Sequence, residues 1–150
     1  MSMFAGLSEE ETLAAFNARS QDHFPGFCKI HFTRITVEEV VAEIEIERFM
    51  YAPNGYLHAG VVVTLADTVA GYGTVYSLPQ GASGFTTIEL KSNFLSTAKE
   101  GGMRCVGRAE HRGSTTQVWD CEVSSLKTGR KMALFRCSQM ILYPKPKAVS

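Results

Sequence analysis

Asp67 is the residue in this 150-residue chain that demands most of its surroundings. It stands two turns inside a segment, Ala59 to about Ser77, in which Val61, Val62, Val63, Leu65, Ala66, Val69, Ala70, Tyr72 and Val75 spread all round a helical wheel. A helix apolar on every side must be buried on every side. An ionisable group there is costly unless it is paired or put to use. One use is to take a proton from water, the work of a general base. The competing role is structural, with the carboxylate facing a solvent gap or satisfied by Thr64 or Thr68.

The entrance to that helix is the second feature. Asn54-Gly55-Tyr56-Leu57-His58-Ala59-Gly60 brings no Ser, Thr, Asp or Asn immediately before Ala59, so the first backbone N–H groups are expected to lack a side-chain cap. Free N–H groups at the positive end of the helix macrodipole stabilise an oxygen that gathers negative charge, which is the task of an oxyanion hole. Capping by His58, by Asn54 or by water is the alternative. Ala59 and Asp67 lie eight positions apart, about 12 Å along one helix. One substrate carbon must lie within reach of both donor and base, so a single helix cannot easily supply both. A second copy running its helix antiparallel can, because two-fold symmetry sets Asp67 of one chain beside Ala59 of the other.

Other chemistries lack their signatures. Ser77, Ser83, Ser114 and Ser124 have no Gly-x-Ser-x-Gly elbow, and no phosphate-binding or dinucleotide glycine pattern is present. Cys28, Cys105, Cys121 and Cys137 form no Cys-x-x-Cys pair, so neither a metal site nor a disulfide framework is expected. They read as small core hydrophobes.

The elements that position these residues are legible from periodicity. Ser8 with Glu11 forms a capping box ahead of Leu13 and Phe16, which marks a short amino-terminal helix. Phe27 to Ile35 alternates as a strand, with Cys28, Ile30 and Phe32 on one side. Ala42, Ile44 and Ile46 oppose Glu43, Glu45 and Glu47, a strand with one wet face. After Leu78-Pro79-Gln80-Gly81, Ile88, Leu90 and Phe94 oppose Thr87, Glu89, Lys91 and Asn93. Turns at Lys99–Gly102, His111–Ser114 and Lys127–Arg130 then mark off Met103–Glu110, Thr115–Ser125 and Lys131–Tyr143, which suggests four successive strands in an antiparallel meander. Pro144-Lys145-Pro146 ends the pattern, and the tail is expected to fray.

A single face of a flat sheet cannot cover a helix that is apolar all round. The expected fold is therefore α+β: a curved antiparallel sheet of about six strands wrapped round one long central helix, with a short amino-terminal helix, which is the hotdog architecture. A second copy closes what remains. Residues 1–150 are read as one domain, since 45% hydrophobic content suffices for one core. Equal numbers of acidic and basic side chains, 15 of each, give no electrostatic reason to expect nucleic acid. The longest apolar stretch, Ala59–Ala70, is interrupted by Thr64, Asp67 and Thr68, and it falls short of the ~18 clean residues that a membrane span needs. Met1–Gly6 shows no basic cluster before an apolar block, so the cytoplasm is the expected compartment.

Pro53-Asn54-Gly55-Tyr56-Leu57-His58-Ala59-Gly60 with Leu65-Ala66-Asp67-Thr68 resembles the signature of the PaaI-like hotdog thioesterases, written His-Gly-Gly followed by Leu-x-Asp. The likeness extends to Thr86–Leu95 and the Gly101-Gly102 turn, and it covers about Phe27 to Tyr143. The resemblance implies an acyl-CoA thioesterase in which Asp67 acts as general base or nucleophile. It implies that the N–H of Ala59, with that of Gly60, polarises the thioester carbonyl, and that the Thr87 hydroxyl helps to place the attacking water. Ala59 replaces the first motif glycine and keeps the backbone donor. Ala52 stands where an asparagine is common, so Asn54 and His58 are the residues expected to contact substrate. The implied assembly is a homodimer or a dimer of dimers with shared sites. CoA enters as part of the substrate, and no other cofactor and no metal are expected. Lys91, Lys99, Arg108, Arg112 and Arg130 are the cations available for CoA phosphates. The alternative function is a non-catalytic acyl-CoA binding or sensing protein on the same fold.

Overall fold

A computed structural model describes residue 4 and residues 6–145. The expected fraying concerns mainly residues 146–150, which lie outside the described residues. Helix α1 (Glu9–Ser20) begins with the expected capping box, Ser8 accepting from the Glu11 N–H while the Glu11 carboxylate accepts from the Ser8 N–H. Pro25 then opens a one-turn helix, α2 (Phe24–Phe27). That turn shortens the anticipated first strand to β1 (His31–Ile35), because a proline in the first turn of a helix is tolerated there and cannot donate to a ladder. Cys28, Ile30 and Phe32 are nonetheless all buried.

β2 (Val40–Glu45) leads through a short 3-10 turn (Arg48–Met50) to α3 (Ala59–Tyr76). β3 (Gly84–Phe94), β4 (Gly102–Arg112), β5 (Thr116–Ser125) and β6 (Lys131–Leu142) follow. All six strands form one antiparallel sheet in the order β1-β2-β4-β5-β6-β3. The expected four-strand meander therefore holds only for β4-β5-β6. The near edge of β4 is already occupied by β2, so β3 pairs with the open edge of β6 instead. The chain leaving β3 stays tied there, Leu95 and Ser96 donating to the Met132 carbonyl.

α3 lies in the trough of this sheet. Two close approaches seat it. Gly73 faces the Trp119 indole, where an added Cβ would come within 2.3 Å of a ring carbon, and Gly107 of β4 leaves room for Val69. Leu65, Ala66, Val69 and Ala70 are fully buried, whereas Val63, Thr64, Asp67 and Thr68 are only half-buried. The helix is thus covered on most sides, not all, by its own chain. The four cysteines are buried and free, as expected of core hydrophobes. Among the described residues, no helix is long and apolar enough to cross a membrane.

Candidate active site

The turn that feeds α3 is held by short-range bonds. Asn54 Oδ1 accepts from the Tyr56 N–H at 3.1 Å, Gly55 adopts φ 82°, and Tyr51 bridges to Leu57. His58 then caps the helix: its Nδ1 accepts from the Gly60 N–H at 2.9 Å, and its carbonyl accepts from the Val61 N–H at 3.0 Å. This corrects the expectation of an uncapped helix, and the reason is that a neutral imidazole nitrogen is an acceptor like a carboxylate or hydroxyl oxygen. Gly60 is engaged in this geometry. The Ala59 N–H keeps no partner among the described residues, so it is the donor available to an incoming oxygen.

Two turns further on, burial pushes the Asp67 carboxyl above its ordinary range, while the Thr87 hydroxyl, when turned toward it, works in the opposite direction. Asp67 Oδ1 is buried without a hydrogen-bond partner among the described residues. Thr87 arrives beside it because of a bulge in β3. Thr87 pairs with Gln139 but Glu89 pairs with Ser138, so Ile88 is an extra residue. Strict alternation sets Thr87 and Leu90 on opposite faces, yet their partners Gln139 and Cys137 are both buried on the inner face. The bulge sets both on that face, where Thr87 is half-buried and Leu90, at the uncovered sheet edge, is exposed. Beneath α3, burial raises the Cys137 thiol to about 12, and the neighbouring Cys105 thiol together with burial holds Cys121 well above the ordinary thiol value, so both stay neutral.

Asp67 also lines a cavity of about 210 Å³ whose other walls include Phe16, Gly71, Tyr72, Val75 and Phe85. These aromatic walls escaped the sequence reading because they come from α1, α3 and β3, with no local motif joining them. So did Gln139, although a glutamine in the buried register of Phe135, Cys137 and Ile141 is a visible irregularity. The structure thus brings Asp67 and Thr87 together and gathers Asn54, His58, Ala59 and Gly60 at the other end of the same helix segment. It does not join the two groups within one chain. Of the cations considered for CoA, Arg108 pairs with Glu39 and Arg112 donates to the Val37 carbonyl, while Lys99 lies over the Tyr56 ring at 6.0 Å.

A six-stranded antiparallel sheet curled round one long helix is the hotdog architecture, and in it the half-buried Asp67 lies beside the Thr87 hydroxyl. The chain belongs to the thioesterase superfamily, which residues 54–133 match over more than half of its length. It is 32% identical over 131 residues to the 1,4-dihydroxy-2-naphthoyl-CoA hydrolase of Escherichia coli strain K12, covering 87% of this chain and 95% of that one. It is 29% identical over 133 residues to the proofreading thioesterase EntH of Klebsiella pneumoniae, covering 89% and 96%. The fold superposes on a mutant thioesterase PA1618 from Pseudomonas aeruginosa with a TM-score of 0.81 at 25% identity, covering 87% and 93% of the two chains. The resemblance to PaaI-like hotdog thioesterases therefore holds, and the chain is a thioester hydrolase.

Proposed function

We propose that the protein hydrolyses acyl-CoA thioesters whose acyl group is aromatic, in a site completed by a second copy of the chain. The observation that carries this reading is Asp67: half-buried, with one carboxylate oxygen unpartnered, in the wall of an aromatic-lined cavity. Water adds to the thioester carbon while Asp67 takes one of its protons. The carbonyl oxygen becomes an oxyanion held by the Ala59 N–H at the positive end of α3. Collapse of the tetrahedral adduct breaks the carbon–sulfur bond, and the proton on Asp67 passes to the leaving thiolate. The products are the free acid and CoA. A carboxyl raised by burial is a stronger base near neutral pH than an ordinary one. Asn54 and His58 border the entrance, where they would meet the pantetheine arm, and a CoA-ester substrate fits a cytoplasmic enzyme.

Two features support the second copy. Ala59 and Gly60 are exposed in the lone chain, and an oxyanion donor open to water loses most of its effect. β3 is a sheet edge of eleven residues that exposes Ile88, Leu90 and Phe94, the kind of edge that pairs with another chain. Two such dimers can pair further into a tetramer.

The test is a panel of aliphatic and aromatic acyl-CoAs with free thiol measured. Wild type is expected to release thiol from benzoyl-CoA faster than from acetyl-CoA. Binding of every ester without thiol release establishes the binding or sensing protein instead.

A further inference from the structure

Gln139 is fully buried, and a buried amide is costly unless its polar atoms are used. Its carbonyl Oε1 accepts from the Thr87 hydroxyl at 2.8 Å, and its Nε2 donates weakly to Cys137 Sγ at 3.4 Å. Gln117, its ladder partner across β5 and β6, makes no side-chain hydrogen bond to it among the described residues. That second amide is taken up by Ser77, through both its hydroxyl and carbonyl, and by the Trp119 indole N–H. Among the described residues Gln139 therefore has one strong partner, and that partner is the hydroxyl beside Asp67.

A hydroxyl carries a single proton. Thr87 has two acceptors beside it: its hydroxyl donates to Gln139 Oε1 at 2.8 Å, and a turn toward the Asp67 carboxylate would lower that carboxyl. We infer that Gln139 is a positioning residue: by holding the Thr87 proton away from Asp67, it leaves a Thr87 lone pair free to accept one O–H of the attacking water. This rests on the proposed function, because it concerns the same water. A water that attacks carbon must turn both protons away and present a lone pair. Asp67 takes one proton and Thr87 Oγ1 receives the other as an acceptor. Without Gln139, the Thr87 proton turns to the carboxylate, where a charge-assisted bond is the stronger option. The base is then weakened and the second anchor for water is lost in the same move.

The titratable groups around Asp67 are Arg19 of α1 and Tyr72 of α3, which line its cavity, and the thiols of Cys121 on β5 and Cys137 on β6. None of them is altered by a change at Gln139 except Cys137, which is neutral throughout the range tested.

The experiment is a pH titration of the Asp67 carboxyl carbon by NMR in the substrate-free protein, run beside the pH profile of benzoyl-CoA hydrolysis. In Gln139→Met the Asp67 midpoint is expected to fall by about one pH unit, the size of a hydrogen bond to a charged group. The acid limb of kcat should follow it, with kcat down roughly tenfold and KM little changed. In a Thr87→Val background the same Gln139→Met change should leave the midpoint where it was. An unmoved midpoint in the single variant, or an equal shift in both backgrounds, overturns the assignment. If Gln139→Met does not fold, Thr87→Val alone decides. Its midpoint stays in place if the wild-type proton lies on Gln139, and rises if that proton had been on Asp67. The titration needs no substrate, so a failure of the proposed reaction is seen separately, as an absence of thiol release from wild type.

Discussion

His58 and Gly60 are tied across the first turn of α3, the Gly60 N–H donating to His58 Nδ1 at 2.9 Å. One of the two donors at the helix entrance is thereby committed to the cap, and the Ala59 N–H is left without a partner among the described residues. His58→Ala removes the cap, at a cost of about 1 kcal/mol, and lowers Tm by several degrees. His58→Asn restores an acceptor at the same position and should restore Tm. If His58 acts only as a cap, kcat in the Asn variant stays within a few-fold of wild type. A collapse of kcat in His58→Asn at unchanged Tm assigns His58 a direct contact with substrate.

Asp67→Asn separates catalysis from stability. The amide keeps the shape of the side chain but cannot take the proton, so thiol release should fall by at least 10²-fold, measured with benzoyl-CoA. Stability moves the other way. Burial raises the folded-state carboxyl above the unfolded value of 3.8, so between those two values the folded chain binds more protons than the unfolded one. The stabilisation this provides is complete below the unfolded value and is lost as pH rises through the folded value. Wild type should therefore lose stability relative to Asp67→Asn across that window, and the gap should level off above it. Chemical denaturation of both proteins at pH 3 to 8 checks this; a gap that widens as pH falls contradicts the raised carboxyl.

The bulge at Ile88 shows where sequence reading reaches its limit. Period-two alternation in β2 locates its buried face, because each residue there opposes one partner. In β3 one residue has no partner, and every side chain on one side of it changes face. Family resemblance marks Thr87, while its orientation and its bond to Gln139 depend on register with a strand some fifty residues away. The same holds for the sheet order. Turn residues fix where strands end, but which edge β3 joins is decided by β2 having already occupied β4. The helix fared better. Its apolar content is local, and both its start at Ala59 and the placement of Asp67 two turns in follow from the sequence alone.

Gly71 and Gly73 lie two positions apart on α3, on opposite sides of the helix, and should respond differently. A Cβ at Gly71 meets Phe85 Cζ at 3.1 Å on the wall of the aromatic cavity, a ring that is itself only half-buried. Gly71→Ala should fold at least as well as wild type, since alanine favours helix by up to about 1 kcal/mol, while the cavity narrows. KM for benzoyl-CoA is expected to rise several-fold with acetyl-CoA little affected. At Gly73 the Cβ would come within 2.3 Å of the Trp119 ring, deep in the core. Gly73→Ala should cost about 1–3 kcal/mol through overpacking and affect all substrates alike. Equal sensitivity of both esters to Gly71→Ala removes the cavity from the acyl site.

The shared site makes its clearest prediction through two inactive variants. Ala59→Pro deletes the proposed oxyanion donor, and proline is well tolerated at the first helical position. His58 already has the extended backbone, φ −66° and ψ 129°, that a following proline requires. Ala59→Pro and Asp67→Asn should each be nearly inactive as homodimers. In a mixed dimer, the Asp67 of the Ala59→Pro chain meets the Ala59 N–H of the Asp67→Asn chain, and one of two sites is whole. Random reassortment after unfolding and refolding together makes half the dimers mixed, with half their sites intact. About a quarter of wild-type activity should therefore return on mixing. Analytical ultracentrifugation across a dilution series should show activity falling as the dimer dissociates. If both halves of the site belonged to one chain, every chain in the mixture would still carry its own defect. No activity would then return, and the requirement for a second copy would be lost with it.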